Sequence, residues 1–187
     1  MKSISKDFDL KRFVSHNIRE LTLFAILIVI AVLVQVRTGG RFLSSSNLND
    51  LLRETAILMM VSVGMMMVIL TGCIDLSLGS TMGLAGMICA LTLRDHRETP
   101  IIVIVLIALG IGLLAGLLNG FIVAKLRIFP LIGTLGVCDM LRGLVYVFSK
   151  GAWVGQGDMT QEFMSISTGK VFGINNLVFI AILITVM

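Results

Sequence analysis

The sequence is short of charge: Asp, Glu, Lys and Arg together supply only 14% of its 187 residues. Soluble domains carry roughly 25%, so too few charges are present to cover a water-facing surface. Histidine is nearly missing as well. His16 and His96 are the only two, and they stand too far apart for a metal site or a catalytic triad. The three cysteines, Cys73, Cys89 and Cys138, form no pair with ligand spacing and read as small packing residues. Both prolines, Pro100 and Pro130, fall at the starts of apolar runs, where a missing N–H costs a helix nothing. No low-complexity tract and no repeat of about 20–50 residues marks an array or a separate soluble domain.

What is abundant is apolar: 57% of the residues, with a mean hydropathy of +1.02, and they are gathered into long runs rather than scattered. Leu21 to Val36, Ala56 to Leu70, Leu76 to Leu93, Pro100 to Ala124 and Phe129 to Phe148 approach the ~20 residues that a hydrocarbon core about 30 Å thick requires. Leu177 to Met187 is shorter, about 16 Å as a helix, and does not span. Lipid offers no hydrogen-bond partner to an unpaired backbone, so these runs must be helices. The alternating polarity of a membrane barrel is absent. The predicted fold is therefore all-α: a polytopic transmembrane bundle of about five full spans and a partial sixth, with residues 1–20 as a tail and 21–187 as the membrane domain.

The first run is preceded by basic residues spread over a long tail and followed by no small-residue cleavage site before Arg37, so it reads as a retained helix rather than a signal peptide. Lys2, Lys6, Lys11, Arg12 and Arg19 favour a cytoplasmic N-terminus. Alternation then brings Lys125 and Arg127 to the same side. The net charge of +4 belongs to this membrane geometry and gives no reason to expect nucleic-acid binding.

Two motifs of soluble enzymes are mimicked and fail on context. Gly110-Ile-Gly112-Leu-Leu-Ala115 has the dinucleotide spacing but lies inside a membrane run with no strand before it. Ser167-Thr-Gly-Lys170 lacks the first glycine and the final hydroxyl of a phosphate loop. No nucleotide, metal or other cofactor is expected, and no enzymatic activity.

Small residues recur along two of the runs. Ala108, Gly112, Gly116, Gly120 and Ala124 share one helical face, and Gly79, Gly83, Gly86 and Ala90 form a similar stripe, which suits close helix packing. Between two runs stands Thr71-Gly-Cys-Ile-Asp-Leu-Ser-Leu-Gly-Ser80, with an acid, hydroxyls and glycines where there is almost no room for a loop. A charge at membrane depth costs at least ~2.5–3.5 kcal/mol. Asp75 therefore belongs at a break between helices, accepting N–H bonds from the next helix start, with Ser77 and Ser80 able to cap the same turn. This is either a capped interfacial turn or a broken helix lining a translocation path. Asp139 and Arg142, three apart on one face, can pair. They read either as a tie between helices or as part of a polar pathway.

Taken in order, the segments Thr71 to Ser80, Gly116-Leu-Leu-Asn-Gly-Phe-Ile-Val-Ala124, Pro130-Leu-Ile-Gly-Thr-Leu-Gly136 and Leu141-Arg-Gly-Leu-Val-Tyr146 resemble the permease subunits of bacterial ATP-binding-cassette sugar importers, the ribose, xylose, rhamnose and autoinducer-2 group. By that resemblance, Gly72, Asp75, Ser77 and Gly79 fall on one family signature. Asn119 and Gly120 match an Asn-Gly pair, and Thr134, Gly136, Arg142 and Gly143 a later block. Cys73 stands where the family usually has glycine, and Asp139 at a place expected to be uncharged. The resemblance implies a translocation pathway for a monosaccharide or related solute in the bacterial inner membrane. It also implies three partners: a cytoplasmic cassette ATPase, a second permease subunit (identical or not), and a periplasmic sugar-binding protein. Family members are longer, so the chain is expected to be the front half of a permease that transports nothing alone. An ion-coupled secondary transporter and a non-transporting assembly subunit are the competing classes.

Overall fold

The structure is a computed structural model that describes residues 18–171 and 174–186. The basic positions Lys2, Lys6, Lys11 and Arg12, with His16 and Met187, lie outside the described residues. The chain divides into two compact units, Met1–Leu52 and Arg53–Met187.

In the first unit, helix α1 (Ile18–Arg37) is a continuous apolar rod none of whose residues is buried. Its end is organised by Gln35, a polar interruption in the first apolar run. The Gln35 amide donates to the Gly40 carbonyl at 3.2 Å, and its Oε1 accepts from the Leu43 N–H at 2.8 Å. Gly39 and Gly40 turn the chain at φ of 60° and 89°. Helix α2 (Ser45–Leu70) starts here and runs on into the second unit.

In the second unit, α2 is followed by α3 (Leu78–Asp95) and α4 (Ile101–Gly120). The latter continues through a π-helical turn, Phe121–Lys125, before α5 (Pro130–Ser149). A 3₁₀ turn at Gln156–Asp158 and the short α6 (Gln161–Thr168) come next. A two-stranded antiparallel hairpin follows, β1 (Lys170–Val171) with β2 (Ile174–Asn175), and then α7 (Asn176–Val186). With only eight residues, about two turns, α6 carries little periodic signal in the sequence. Thr160 caps it by accepting the Phe163 N–H at 3.3 Å, and Met159 and Phe163 pack on Cys89, Leu93 and Ile104.

The all-α expectation stands, but the span count needs correction. Among the described residues, four helical stretches are long and apolar enough to cross a membrane: Ile18–Arg37, Ser45–Leu70, Ile101–Lys125 and Pro130–Ser149. The run from Leu76 to Leu93, read as a full span, becomes helical only at Leu78. Glycines and hydroxyl residues dilute its hydrophobicity, and Arg94 and Asp95 end it. Those two form an exposed ion pair at 2.8 Å, and the hydrogen bond from Arg94 holds the Asp95 carboxyl below its ordinary range. The partial sixth run is α7, 11 residues long.

Helix α3 is central, packing on both α4 and α5. Leu84, Ala115, Val137 and Leu141 form the buried centre, flanked by Ile88, Ile111, Leu118 and Leu144. In lipid such contacts replace acyl chains rather than water, so close packing rather than water exclusion holds the bundle together.

Helix α2 stops at a Schellman turn: Gly72 N–H bonds the Ile69 carbonyl at 2.9 Å and Cys73 N–H the Val68 carbonyl at 3.3 Å. Gly72 sits at φ +76° with open space around it. Gly72→Ala is thus expected to cost about 1 kcal/mol through backbone strain alone. The measurement is the thermal midpoint of the detergent-solubilised chain, and an unchanged midpoint would remove the requirement for glycine.

Candidate functional site

Between the end of α2 and the start of α3, residues 71–77 cross the bundle as non-helical chain. Backbone like this needs partners at membrane depth, and side chains provide them. The Asp75 carboxylate folds forward: Oδ1 accepts from the Ser77 N–H and from the Ser77 hydroxyl, both at 2.7 Å. Asp75 thereby satisfies one of the free donors at the α3 start, as its type and position require. The expected caps at Ser77 and Ser80 take a different form. Ser77 makes no side-chain cap; its hydroxyl is engaged by Asp75. The Ser80 and Thr81 hydroxyls both donate back to the Ser77 carbonyl, at 2.7 and 3.0 Å.

Two other helices tie this break in place. From α4, the Asn119 amide nitrogen donates to Ser77 Oγ at 2.6 Å and to Asp75 Oδ2 at 3.2 Å. The carboxylate has only acceptors, which fixes the amide with its nitrogen toward Asp75. Asn119 Oδ1 is left buried with no hydrogen-bond partner among the described residues. From α5, the Thr134 hydroxyl accepts the Leu76 N–H at 3.2 Å and lies within donating distance of the Pro130 and Ile74 carbonyls, at 2.9 and 3.2 Å. Four positions singled out from sequence, Asp75, Ser77, Asn119 and Thr134, thus meet in one network. Ser77, wholly buried, is its centre.

Beside the network is a cavity of about 400 Å³. Val68 at the α2 end, Thr71, Cys73 and Asp75 in the broken segment, Gly116 and Gly120 on α4, Val123 in the π-helical turn and Pro130 at the start of α5 line it with Asn119 and Thr134. Two features shape it. The π-helical turn after Gly120 ends α4 with a Leu126 N–H to Phe121 carbonyl bond at 3.1 Å, an irregularity that recurs at functional sites. Gly133 lets that turn approach α5: a Cβ there would stand 2.7 Å from Ile122 Cγ2. Gly133 and Thr71 are not candidate site residues in the sequence, although Gly133 sits in the Pro130–Gly136 block and Thr71 opens the motif containing Asp75.

Other candidates lie elsewhere. Gly79, Gly83, Gly86 and Gly112 are exposed, and an added Cβ at each would meet no atom. In the two stripes, one on α3 and one on α4, the alanines Ala90 and Ala108 are packed, whereas Gly83, Gly86, Gly112 and Gly116 have no described residue within 4 Å of an added Cβ; Gly116 borders the cavity. Helix α4 buries Ile104, Ala115 and Asn119, a face adjacent to the glycines. Gly136 lines a shallow apolar cleft with Leu118 and Ile132, and Gly143 is exposed. Asp139 and Arg142 are both exposed on α5, and no ion pair joins them among the described residues. Among the described residues no cluster of three His, Cys, Asp or Glu side chains suits a metal ion.

Residues 47–187 match the family described as branched-chain amino acid transport system, permease component. The ribose import permease protein RbsC of Haemophilus influenzae is 36% identical over 93% of this chain and 52% of its own length. The autoinducer 2 import system permease protein LsrC of an Enterobacter species is 35% identical over 85% of this chain and 45% of its own. The xylose transport system permease protein XylH of Escherichia coli is 33% identical over 85% and 42%. The chain spans about half the length of these curated relatives. No solved structure matches it.

Proposed function

This chain belongs to the family of branched-chain amino acid transport system permease components, multi-pass membrane proteins of bacterial cassette importers, and from that premise we propose that it forms part of a translocation pathway for a monosaccharide or a related small polar solute. It sits in the inner membrane with its N-terminus in the cytoplasm. It works with a second permease subunit, a cytoplasmic cassette ATPase and a periplasmic sugar-binding protein. The chain performs no chemistry. It presents alternative conformations, and the partners bias the equilibrium between them.

The observation that carries this reading is the broken segment 71–77, tied by Asn119 and Thr134 and bordering an open cavity. A turn with a purely structural role would bury its polar groups against protein. Here Asp75 is part-exposed and lines a space large enough for a small molecule. Irregular backbone at membrane depth is tolerated where it is enclosed by protein or lines a cavity.

The test begins with co-purification of the chain, in mild detergent, with a cassette ATPase from the same organism. Reconstitution of the full-length assembly in vesicles follows. Accumulation of labelled ribose or xylose is expected only with ATP and the binding protein present. Uptake driven by an ion gradient without the ATPase would sink the proposal in favour of a secondary carrier.

A further inference from the structure

The outward face of α5 carries two charges at membrane depth. At about 3.6 residues per turn, Ile132, Gly136, Asp139, Gly143 and Tyr146 fall on one stripe, opposite the buried Thr134, Val137, Cys138 and Leu141. The whole stripe is exposed, Ile132 at 65% and Tyr146 at 76%. Arg142, also exposed, borders it three residues from Asp139, about 4.5 Å along the axis. Asp139 stands near the middle of this 20-residue span. Neither charged side chain makes an ion pair or hydrogen bond among the described residues.

Lipid is a poor cover for such a face. An arginine can reach toward the interface along its own stem, but the short side chain of Asp139 stays where the helix puts it. A pair formed within the helix would still leave most of the guanidinium donors among acyl chains. The rest of the stripe is apolar or glycine, which suits contact with another helix better than the wall of an aqueous channel. Two features say which helix. Gly136 and Gly143 flank Asp139, and an added Cβ at either would meet nothing within 4 Å, so a second backbone can come close there. An acid and a base on one face also make that face complementary to itself under a two-fold axis, the commonest symmetry of paired subunits. Copies in one membrane share one orientation, so the axis lies along the membrane normal and α5 meets α5 in parallel. Asp139 of one copy then faces Arg142 of the other, and the reverse.

We propose that the outward face of α5 is the contact between two copies of this chain, held by reciprocal Asp139–Arg142 ion pairs with Gly136 and Gly143 allowing the close approach. The proposal rests on the permease reading above: it makes the second permease subunit another copy of this chain and names the face that joins them.

Gly143→Cys places a thiol on the stripe. Membrane vesicles carrying the full chain with this substitution are oxidised with copper phenanthroline, and disulfide-linked dimers are measured on a non-reducing gel. The parent, with Cys89 and Cys138 buried and Cys73 at the helix break, is the control. A disulfide needs Cβ atoms ~3.5–4.5 Å apart, so efficient linkage is expected from the variant alone, and its absence overturns the proposal. Charge variants then test the pairing between copies. In the Gly143→Cys background, Asp139→Arg alone and Arg142→Asp alone set like charges across the contact, and each is expected to lower the dimer yield about tenfold. Co-expressed with different tags, the two are expected to link to each other at the parental level, because one copy then presents only bases and the other only acids. Pairing inside one helix, or with another segment of the same chain, predicts no restoration on mixing, and that result overturns the contact. Linkage through Gly143→Cys alone remains decisive if a charge-reversed chain fails to fold. ATP-driven uptake by the reconstituted assembly keeps the permease reading separate. Uptake without the disulfide overturns the contact and leaves that reading standing. The disulfide without uptake supports the contact and counts against the permease, and absence of both overturns both.

Discussion

Asp75→Leu is expected to unfold the segment between α2 and α3, leaving a chain that aggregates well below the parent's thermal midpoint. The substitution takes the only acceptor from the Ser77 N–H and one of two from the Asn119 amide, and it strands the Ser77 hydroxyl. Ser77 is 0% exposed, so its groups cannot turn to water. Hydrogen bonds to a charged acceptor contribute about 1.5–3 kcal/mol each. They are not additive within one network, and a total loss on the order of 3 kcal/mol follows. An opposing term exists, since removing a charge at membrane depth saves up to ~2.5–3.5 kcal/mol where the site is dry. Asp75 is part-exposed and borders the cavity, so most of that cost is not incurred and the lost bonds win. Asp75→Asn keeps an acceptor for Ser77 but sets its NH₂ against that of Asn119, and should fall between parent and leucine variant. Size-exclusion profiles after heating rank the three. A leucine variant as stable as the parent would show that the network holds nothing together.

The second large effect is expected at Gly133. Alanine is ordinarily favoured over glycine inside a helix by about 0.8–1 kcal/mol. Here the added Cβ would lie 2.7 Å from Ile122 Cγ2 and 3.7 Å from Ile128 Cγ2. The Ile122 methyl is fixed to a branched Cβ and cannot swing aside as a flexible chain end would. Overpacking of this kind costs about 1–3 kcal/mol, so Gly133→Ala should destabilise despite the better helix former. The strain should fall on the π-helical turn, which would move away from α5 and reshape the cavity wall at Val123 and Ala124. Combining Gly133→Ala with Ile122→Ala should recover much of the loss, the coupling expected of residues in contact. If the double variant is as unstable as the sum of its singles, the close approach is not what requires glycine.

Much of this molecule was legible without coordinates. Too little charge and apolar runs of membrane length determined that the chain is a helical membrane protein, since lipid leaves the backbone no other arrangement. The position of Asp75 determined that the chain must break there, and four short blocks in order pointed to the permease family whose pattern residues 47–187 match. Local residue chemistry was enough for the first two conclusions, and the third rests on resemblance to known permeases.

Only the tertiary structure decided which of the marked residues belong together. Asn119 lies 44 positions from Asp75, and the bond between Thr134 and Ile74 spans 60; no periodicity in the sequence encodes such pairings. The span count was misjudged for the same reason. A run such as Leu76 to Leu93 looks uniform when read by hydropathy, but its first residues serve the break. Of its small and polar residues, Ser77 and Ser80 are buried and hydrogen-bonded, while Gly79, Gly83 and Gly86 stay exposed. The glycine stripes mark another limit, because a flat helix face shows where a neighbour can approach without saying whether one does. What sequence could not supply was the orientation of one amide. With the Asn119 nitrogen drawn to Asp75, its oxygen is left buried without a partner among the described residues, and that follows only from three helices meeting at one point.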